Sequence, residues 1–337
     1  MTKVALVAYD PIGSGLSTYT LELAKVLSSF LDVHLLTFEE CVKLPRVHIV
    51  PIQKPRIPPY FPLLSSLAAS QSIEGTVAEI DPDVVHETLP PLSHWFPNLI
   101  TTKWGYVSYP RLAWIRTTQM NFPNCLGGVP VTFQHWLGDE MSYRNAKYIV
   151  NVSANSENYI PPPIEIRQMR SIQPSESLHV LFVARDLRIR RKNLRVLLDA
   201  SSHLHRSIII HLVGIGEVKH ENVVSHGYLG RESLFHLMST MDALVLPSIY
   251  EEIGYVGLEA SSVGVPVIAS DIPPFRSMFV DSLMFPPNDS LSLALILNNL
   301  KSEDIVKYGL LGRDRALSNN ELALARLKQI YTSLPEL

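Results

Sequence analysis

The feature that most limits the folds open to this chain is a rhythm. Short apolar runs of strand length alternate with helical patterns, and the alternation occurs twice. In the first half KVALVAY is a buried-strand run, the loop DPIGSGLS follows, and TYTLELAKVLSSF sets Leu21, Leu23, Ala24, Val26 and Leu27 at near-helical spacing. DVHLLTF and VHIVPI read as the next strands, SIEGTVAEI as a helix leading into the strand DVVHE, and NLITTKW and AKYIVNVS as further strands. YIPPPIEI and the polar RSIQPSES then break the pattern. Alternation resumes with LHVLFVAR, NLRVLLDASSHL, SIIIHLVGIG, NVVSHGYL, RESLFHLMSTM, DALVLPS and VPVIASD. From about Ser290 the chain reads as amphipathic helices ending in ELALARLKQIYTSL.

Strands separated by helices predict doubly wound parallel sheets. The expected fold class is therefore α/β, with two Rossmann-like domains facing across a cleft. The predicted boundaries are an N-terminal domain over 1–168, a linker over 169–177, a C-terminal domain over 178–318, and a final helix over 319–337 packing back on the first domain. Ligand sites of open parallel sheets lie off the carboxyl ends of the strands, so the functional loops should line that cleft.

Composition narrows the partners. The 337 residues are 46% hydrophobic with a net charge of −3, enough for real cores and no bulk electrostatic case for nucleic acid. Cys41 and Cys125 make no disulfide framework, and no CxxC or Cys/His metal spacing occurs. No run of 18 uncharged apolar residues is present, and MTKVALVAYD enters a strand pattern without a signal-peptide layout. A cytoplasmic protein is expected, either free or peripheral on the inner membrane face.

Four loops carry candidate chemistry. In DPIGSGLSTYT, Gly13 and Gly15 permit close backbone approach, and the helix expected near Ser17 turns N–H groups toward an anion. A dinucleotide fingerprint is the rival there, with Glu39 or Glu40 as its ribose acid, but Thr18 stands where the third glycine belongs. A ligand-free turn is the other alternative. In VARDLRIRRKNLRVLL, Arg185 at a strand end and Lys192 at a helix start are placed to meet a diphosphate, whereas Arg188, Arg190 and Arg191 read as a solvated face. Gly214 and Gly216 in HLVGIGE read as a turn.

The fourth loop is the most informative. PSIYEEIGYVGLEASSVGVPVIASD places Glu251 beside a Gly turn and Glu259 in the first turn of a helix expected from Val256 to Gly264. A helix dipole explains one acid by about 0.3–1 kcal/mol. Two acids around a turn of free N–H groups make hydroxyl acceptors beside an anion cradle, which suits a sugar joined to a phosphorylated nucleoside.

EEIGYVGLEASSVGVPVIASD, with seven residues between Glu251 and Glu259, resembles the signature of the retaining glycosyltransferases of family 4, which have the GT-B fold. GYLGRESLFHLMSTMDALVLPS, VARDLRIRRKN, IPPPIEI and GSGLSTYTLELAKVL are similar to further motifs of that family, while residues 41–150 match weakly. The resemblance implies that Glu259 holds ribose hydroxyls and that Glu251 contacts the donor sugar. It puts the amides of Gly254, Tyr255 and Val256 on sugar and phosphate oxygens, and Arg185 and Lys192 on the diphosphate as it leaves. Gly15 would pass near the phosphate, and Tyr228 and Leu229 would frame the base. The implied reaction moves a sugar from a nucleotide sugar, with UDP or GDP, to an acceptor hydroxyl with retention, and needs no metal or other cofactor.

Two departures follow from the same comparison. The family's reaction-centre histidine is matched by Trp104 in TTKWG, leaving His135 in VTFQHWLGD and His86 in DVVHETL as substitutes or as packed histidines. Ser277 in PPFRS stands where the family has Glu. The acceptor is unknown; Lys54–Leu67 and Lys103–Arg116 mix basic and aromatic residues, which suits a lipid-linked or polysaccharide acceptor and peripheral membrane contact, or aromatic loops packed round the cleft. Sugar-nucleotide binding without turnover, or a GT-B-like epimerase, are the rival functions.

Overall fold

The computed structural model describes residues 1–8, 15–38, 43–53, 57, 61–105, 109–110, 112–114, 128–154, 156–170, 176–279 and 283–333. Cys41, Cys125, Gly13, Glu39, Glu40, Arg116 and much of 54–60 lie outside them, as do 171–175 of the expected linker. The chain divides into two compact units: unit 1 holds Met1–Pro163 with Asn319–Leu337, and unit 2 holds Ile164–Ser318.

In unit 1, β1 (Lys3–Val7), β2 (Asp32–Thr37), β3 (Val47–Pro51), β4 (Val84–Glu87), β5 (Leu99–Lys103) and β6 (Tyr148–Asn151) form one sheet in the order β3-β2-β1-β4-β5-β6. Every pairing is parallel. Helices α1 (Gly15–Leu27), α2 (Pro62–Ile80) and α3 (Gly128–Asn145) connect the strands. The core gathers Ala5, Val7, Leu36, Val85 and Leu99 from the strands with Ala69, Ile73 and Val77 from α2.

Unit 2 repeats the plan. Its strands β7 (Leu178–Asp186), β8 (Ile208–Ile215), β9 (Val223–Ser225), β10 (Ala243–Leu246), β11 (Val267–Ser270) and β12 (Leu283–Phe285) lie in the order β12-β11-β10-β7-β8-β9. Numbered within each unit, both sheets run 3-2-1-4-5-6, the doubly wound order whose direction reverses beside the first strand. The helices here are α4 (Leu194–Ser201), α5 (Arg231–Met238), α6 (Tyr255–Ser262), α7 (Pro273–Met278) and α8 (Ser290–Asn299). β10 and β11 are buried at every residue, as strands covered on both faces must be.

β12 falls on no run that the sequence marks, and three helices also differ from the sequence expectation. α2 begins at Pro62, well before SIEGTVAEI, because proline suits the first helical turn and a face of Ser66, Ala69, Ser70, Ile73 and Val77 is buried at helical spacing. α3 is a helix where the sequence showed no helical signal: Gly138 and β-branched Val129, Val131 and Thr132 are weak helix formers. The tail is one helix, α9 (Ser302–Ser333), continuous past residue 318 rather than restarting at 319. Among the described residues no helix is long and apolar enough to cross a membrane.

Candidate functional site

The strand order of unit 2 reverses between β7 and β10, and open α/β sheets bind ligands beyond the strand ends at such a point. The segment after β10 runs through Glu251 to Gly254, which caps α6 with φ +78 and ψ 51. That left-handed backbone suits glycine, and a Cβ there would lie 2.5 Å from the Phe275 ring. Conformation and space together demand this residue. The chain is thereby turned into α6, whose first residue, Tyr255, stands four residues after Glu251.

Glu251 is buried and held by three groups. Arg191 Nη1 lies 3.0 Å away, Lys192 Nζ forms a shorter contact, and Ser248 Oγ donates at 3.2 Å. Burial alone would push this carboxyl up, but the two cations outweigh it and hold the pKa at about 2. Burial draws the Lys192 ammonium below its ordinary range; Glu251 opposes that and Arg191 adds to it.

Arg191 therefore belongs to the cluster and not to the solvated face expected for it. Its carbonyl accepts from Ile249 N at 2.9 Å and its guanidinium donates to Tyr250 O at 3.2 Å. The basic turn is thus stitched to the acidic loop from both main chain and side chain. Arg188 does remain exposed, paired with Asp186 at 2.7 Å. Lys192 ends a 3-10 turn over Arg190–Lys192, and α4 opens only at Leu194 after a left-handed Asn193.

Glu259 is the fifth residue of α6, since the helix begins at Tyr255, one residue before the expected Val256. It is past the first turn, so the helix dipole is a weak account of it. It is buried instead beside Arg231 Nε, 3.4 Å away at the start of α5. Arg191 and Arg231 are the two site residues that sequence reasoning missed. Position relative to the neighbouring loop was the missing information, although Arg231 does open the quoted GRESLF motif.

Arg185 is exposed at the penultimate position of β7 and forms no ion pair among the described residues. Tyr228 is exposed and Leu229 half-buried in the segment between β9 and α5. Gly214 has a packing cause: a Cβ would lie 2.0 Å from the Ala184 carbonyl oxygen, beside the register shift between β7 and β8.

The remaining candidates belong to unit 1. Gly15 is the first residue of α1, and a Cβ there would meet nothing within 4 Å. Trp104 follows β5, donates from Nε1 to Thr88 O at 2.6 Å and meets the Tyr19 ring edge-on at 4.9 Å. His135 is half-buried on α3. His86 is fully buried, with Nδ1 2.8 Å from Tyr331 OH and Nε2 3.0 Å from Thr102 Oγ1. Burial lowers its pKa to about 3, so it is a neutral packed histidine with no nitrogen left for a reaction centre.

The clamped acid Glu251 and the second acid Glu259 both lie within a segment that matches a known family. Residues 177–302 match the family described as Glycosyl transferases group 1. A glycosyltransferase of Methanocaldococcus jannaschii is 30% identical to the chain over 108 residues, covering 27% of each protein. The match thus spans about a quarter of that relative's length. Among solved structures, sucrose-phosphate synthase from Thermosynechococcus elongatus aligns over 99% of both chains with a TM-score of 0.74 at 18% identity. The Anabaena protein Alr3699/HepE, in complex with UDP-glucose, aligns over 100% of both chains with a TM-score of 0.64 at 15% identity. At these identities the likeness establishes the fold: two Rossmann-like domains of the GT-B kind.

Proposed function

We propose that this protein is a retaining glycosyltransferase of family 4 that moves a hexosyl unit from a nucleotide sugar to an acceptor hydroxyl. The observation that carries the proposal is the ionised Glu251 fixed between Arg191 and Lys192 at the N-terminal end of α6. Glu251 and Glu259 accept hydroxyls of the donor sugar and ribose. The amides of Gly254, Tyr255 and Val256 face its oxygens, and Lys192 with Arg185 neutralises the diphosphate as it departs. Cationic side chains at that position supply the charge stabilisation without a metal. UDP is the first nucleotide to try, because the Anabaena neighbour holds UDP-glucose.

The proposed acceptor is a lipid-linked or polysaccharide hydroxyl at the cytoplasmic membrane face. Unit 1 supports this with exposed Phe61, Trp114, Phe133 and Trp136, and with Lys103 over the Tyr143 ring at 5.1 Å. Trp104 favours a second reading, donor binding without turnover.

A thermal-shift panel of UDP, GDP, ADP and their sugars, with chelator present, tests the donor site. A nucleotide at 100 times its dissociation constant adds about 2.7 kcal/mol of stability. The expected result is a selective shift that Glu259→Ala abolishes, with Lys192→Ala slowing transfer more than it weakens binding. No shift from any nucleotide overturns the proposal, and a shift without transfer or donor hydrolysis favours the second reading.

A further inference from the structure

At the amino-terminal end of the unit 1 sheet, Asp32 and His34 lie two residues apart on β2 and so point to one face. His48, on β3, stands directly opposite His34 in the parallel register. The three side chains converge. His34 Nε2 is 3.5 Å from Asp32 Oδ2 and His48 Nε2 is 3.5 Å from Asp32 Oδ1. The two imidazoles are stacked, with centroids 4.7 Å apart and planes inclined by 21°. One ligand atom from each residue lies within 4.8 Å of the others.

The spacing is informative. A hydrogen bond between imidazole and carboxylate closes to about 2.7–2.9 Å, so these contacts are too long to be explained that way. Two ligands on one tetrahedral ion, each bonded at about 2.0–2.1 Å, stand about 3.4 Å apart. We propose that Asp32, His34 and His48 bind one divalent first-row ion of the zinc class, leaving a fourth position for water. Two imidazoles and one carboxylate suit Zn²⁺, Co²⁺ or Ni²⁺ and not the hard Mg²⁺ or Ca²⁺.

Among the described residues β3 is the edge of its sheet and pairs only with β2, so an ion shared by the two strands clips that edge in register. The site lies at the opposite end of the sheet from the loops that follow β1 and β4. It is therefore separate from the transfer chemistry and independent of it. No linear motif reveals it, because the third ligand comes from the next strand. The other histidine group, His179, His211 and His226 in unit 2, is a contrast: its nitrogens bond one another in series at 2.9 Å and 2.9 Å, with no carboxylate among them.

The test uses the full chain freed of metal by chelator, with Zn²⁺ measured in competition against a chromophoric chelator and Co²⁺ read by its visible absorption bands. The expected result is one Zn²⁺ per chain, a raised melting temperature, and tetrahedral Co²⁺ bands. Loss of supporting groups around a metal ligand already costs about 10–100-fold in affinity, so His48→Ala and Asp32→Asn should each weaken binding by at least about tenfold. His48 is 66% exposed, so its loss leaves the fold intact, which circular dichroism checks. His226→Ala should bind as the parent does. Equal affinity in parent and His48→Ala, loss of binding in His226→Ala alone, or no Zn²⁺ bound by the parent overturns the proposal.

Discussion

The two units share one strand order but use a buried acid in opposite ways. In unit 1, Glu87 ends β4 and accepts from Leu92 N and Ser93 N at 2.8 Å each and from Thr101 Oγ1 at 2.9 Å. No cation pairs with it among the described residues, and burial raises its pKa. In unit 2, Glu251 lies just past β10, the strand at the equivalent place, and two cations lower its pKa to about 2. Neutral donors around an acid hold a turn together. Cations around an acid leave charge that a ligand can take over, so the partners of a buried carboxylate separate scaffold from site more reliably than its burial does.

The largest expected effect tests the scaffold side. Glu87→Ala strips the acceptor from two buried amides and a hydroxyl, and each orphaned donor costs about 1–3 kcal/mol. The midpoint of urea unfolding should fall by several times what a surface change produces. A near-normal midpoint together with loss of the nucleotide-induced shift would invert the comparison.

Glu251→Gln sharpens it from the other side. The variant keeps its shape but leaves Arg191 and Lys192 without their counter-charge, at a cost below the roughly 3–5 kcal/mol of a fully buried broken pair because both cations reach solvent. Acid titration gives the signs. Glu251 has a folded pKa depressed to about 2, so its stabilisation is full above the ordinary carboxylate value near 4.5 and is lost as pH falls toward 2. His86 acts earlier: the unfolded chain takes up a proton below its ordinary 6.5, while the folded chain resists until about 3. Stability should therefore fall by up to about 1.4 kcal/mol per pH unit below 6.5 in the parent. Replacing His86 with Asn should flatten that limb, and replacing Glu251 with Gln should flatten only the lower one.

Much of this arrangement was legible in the sequence, for identifiable reasons. Buried parallel strands are continuous apolar runs, so eleven of the twelve strands described fall on runs that the sequence marks, while β12, three residues long, falls on none; the Gly254 turn is visible because only glycine fits it. What stayed hidden depended on neighbours. His86 looks like any strand histidine until Tyr331, 245 residues away, closes on its Nδ1. α3 is held by packing against its poor helix formers, with Gly138 leaving just enough room for Pro91. Arg231 was invisible as a partner because its acid lies on another helix.

The smallest expected effect is the most discriminating, because it separates two arginines three residues apart. Arg188 is largely exposed where it makes its bidentate contact with half-buried Asp186, so the charges gain little from each other over water. Arg191 is half-buried and bridges Glu251 and the Tyr250 carbonyl. Arg188→Ala should leave the unfolding midpoint and the nucleotide-induced shift unchanged. Arg191→Ala should lower both, because Glu251 then has only Lys192 to balance it and the loop loses a tether. If the two variants behave alike, the run RIRRK is a uniform basic surface, and the distinction drawn between a paired and a spectator cation at this turn is wrong.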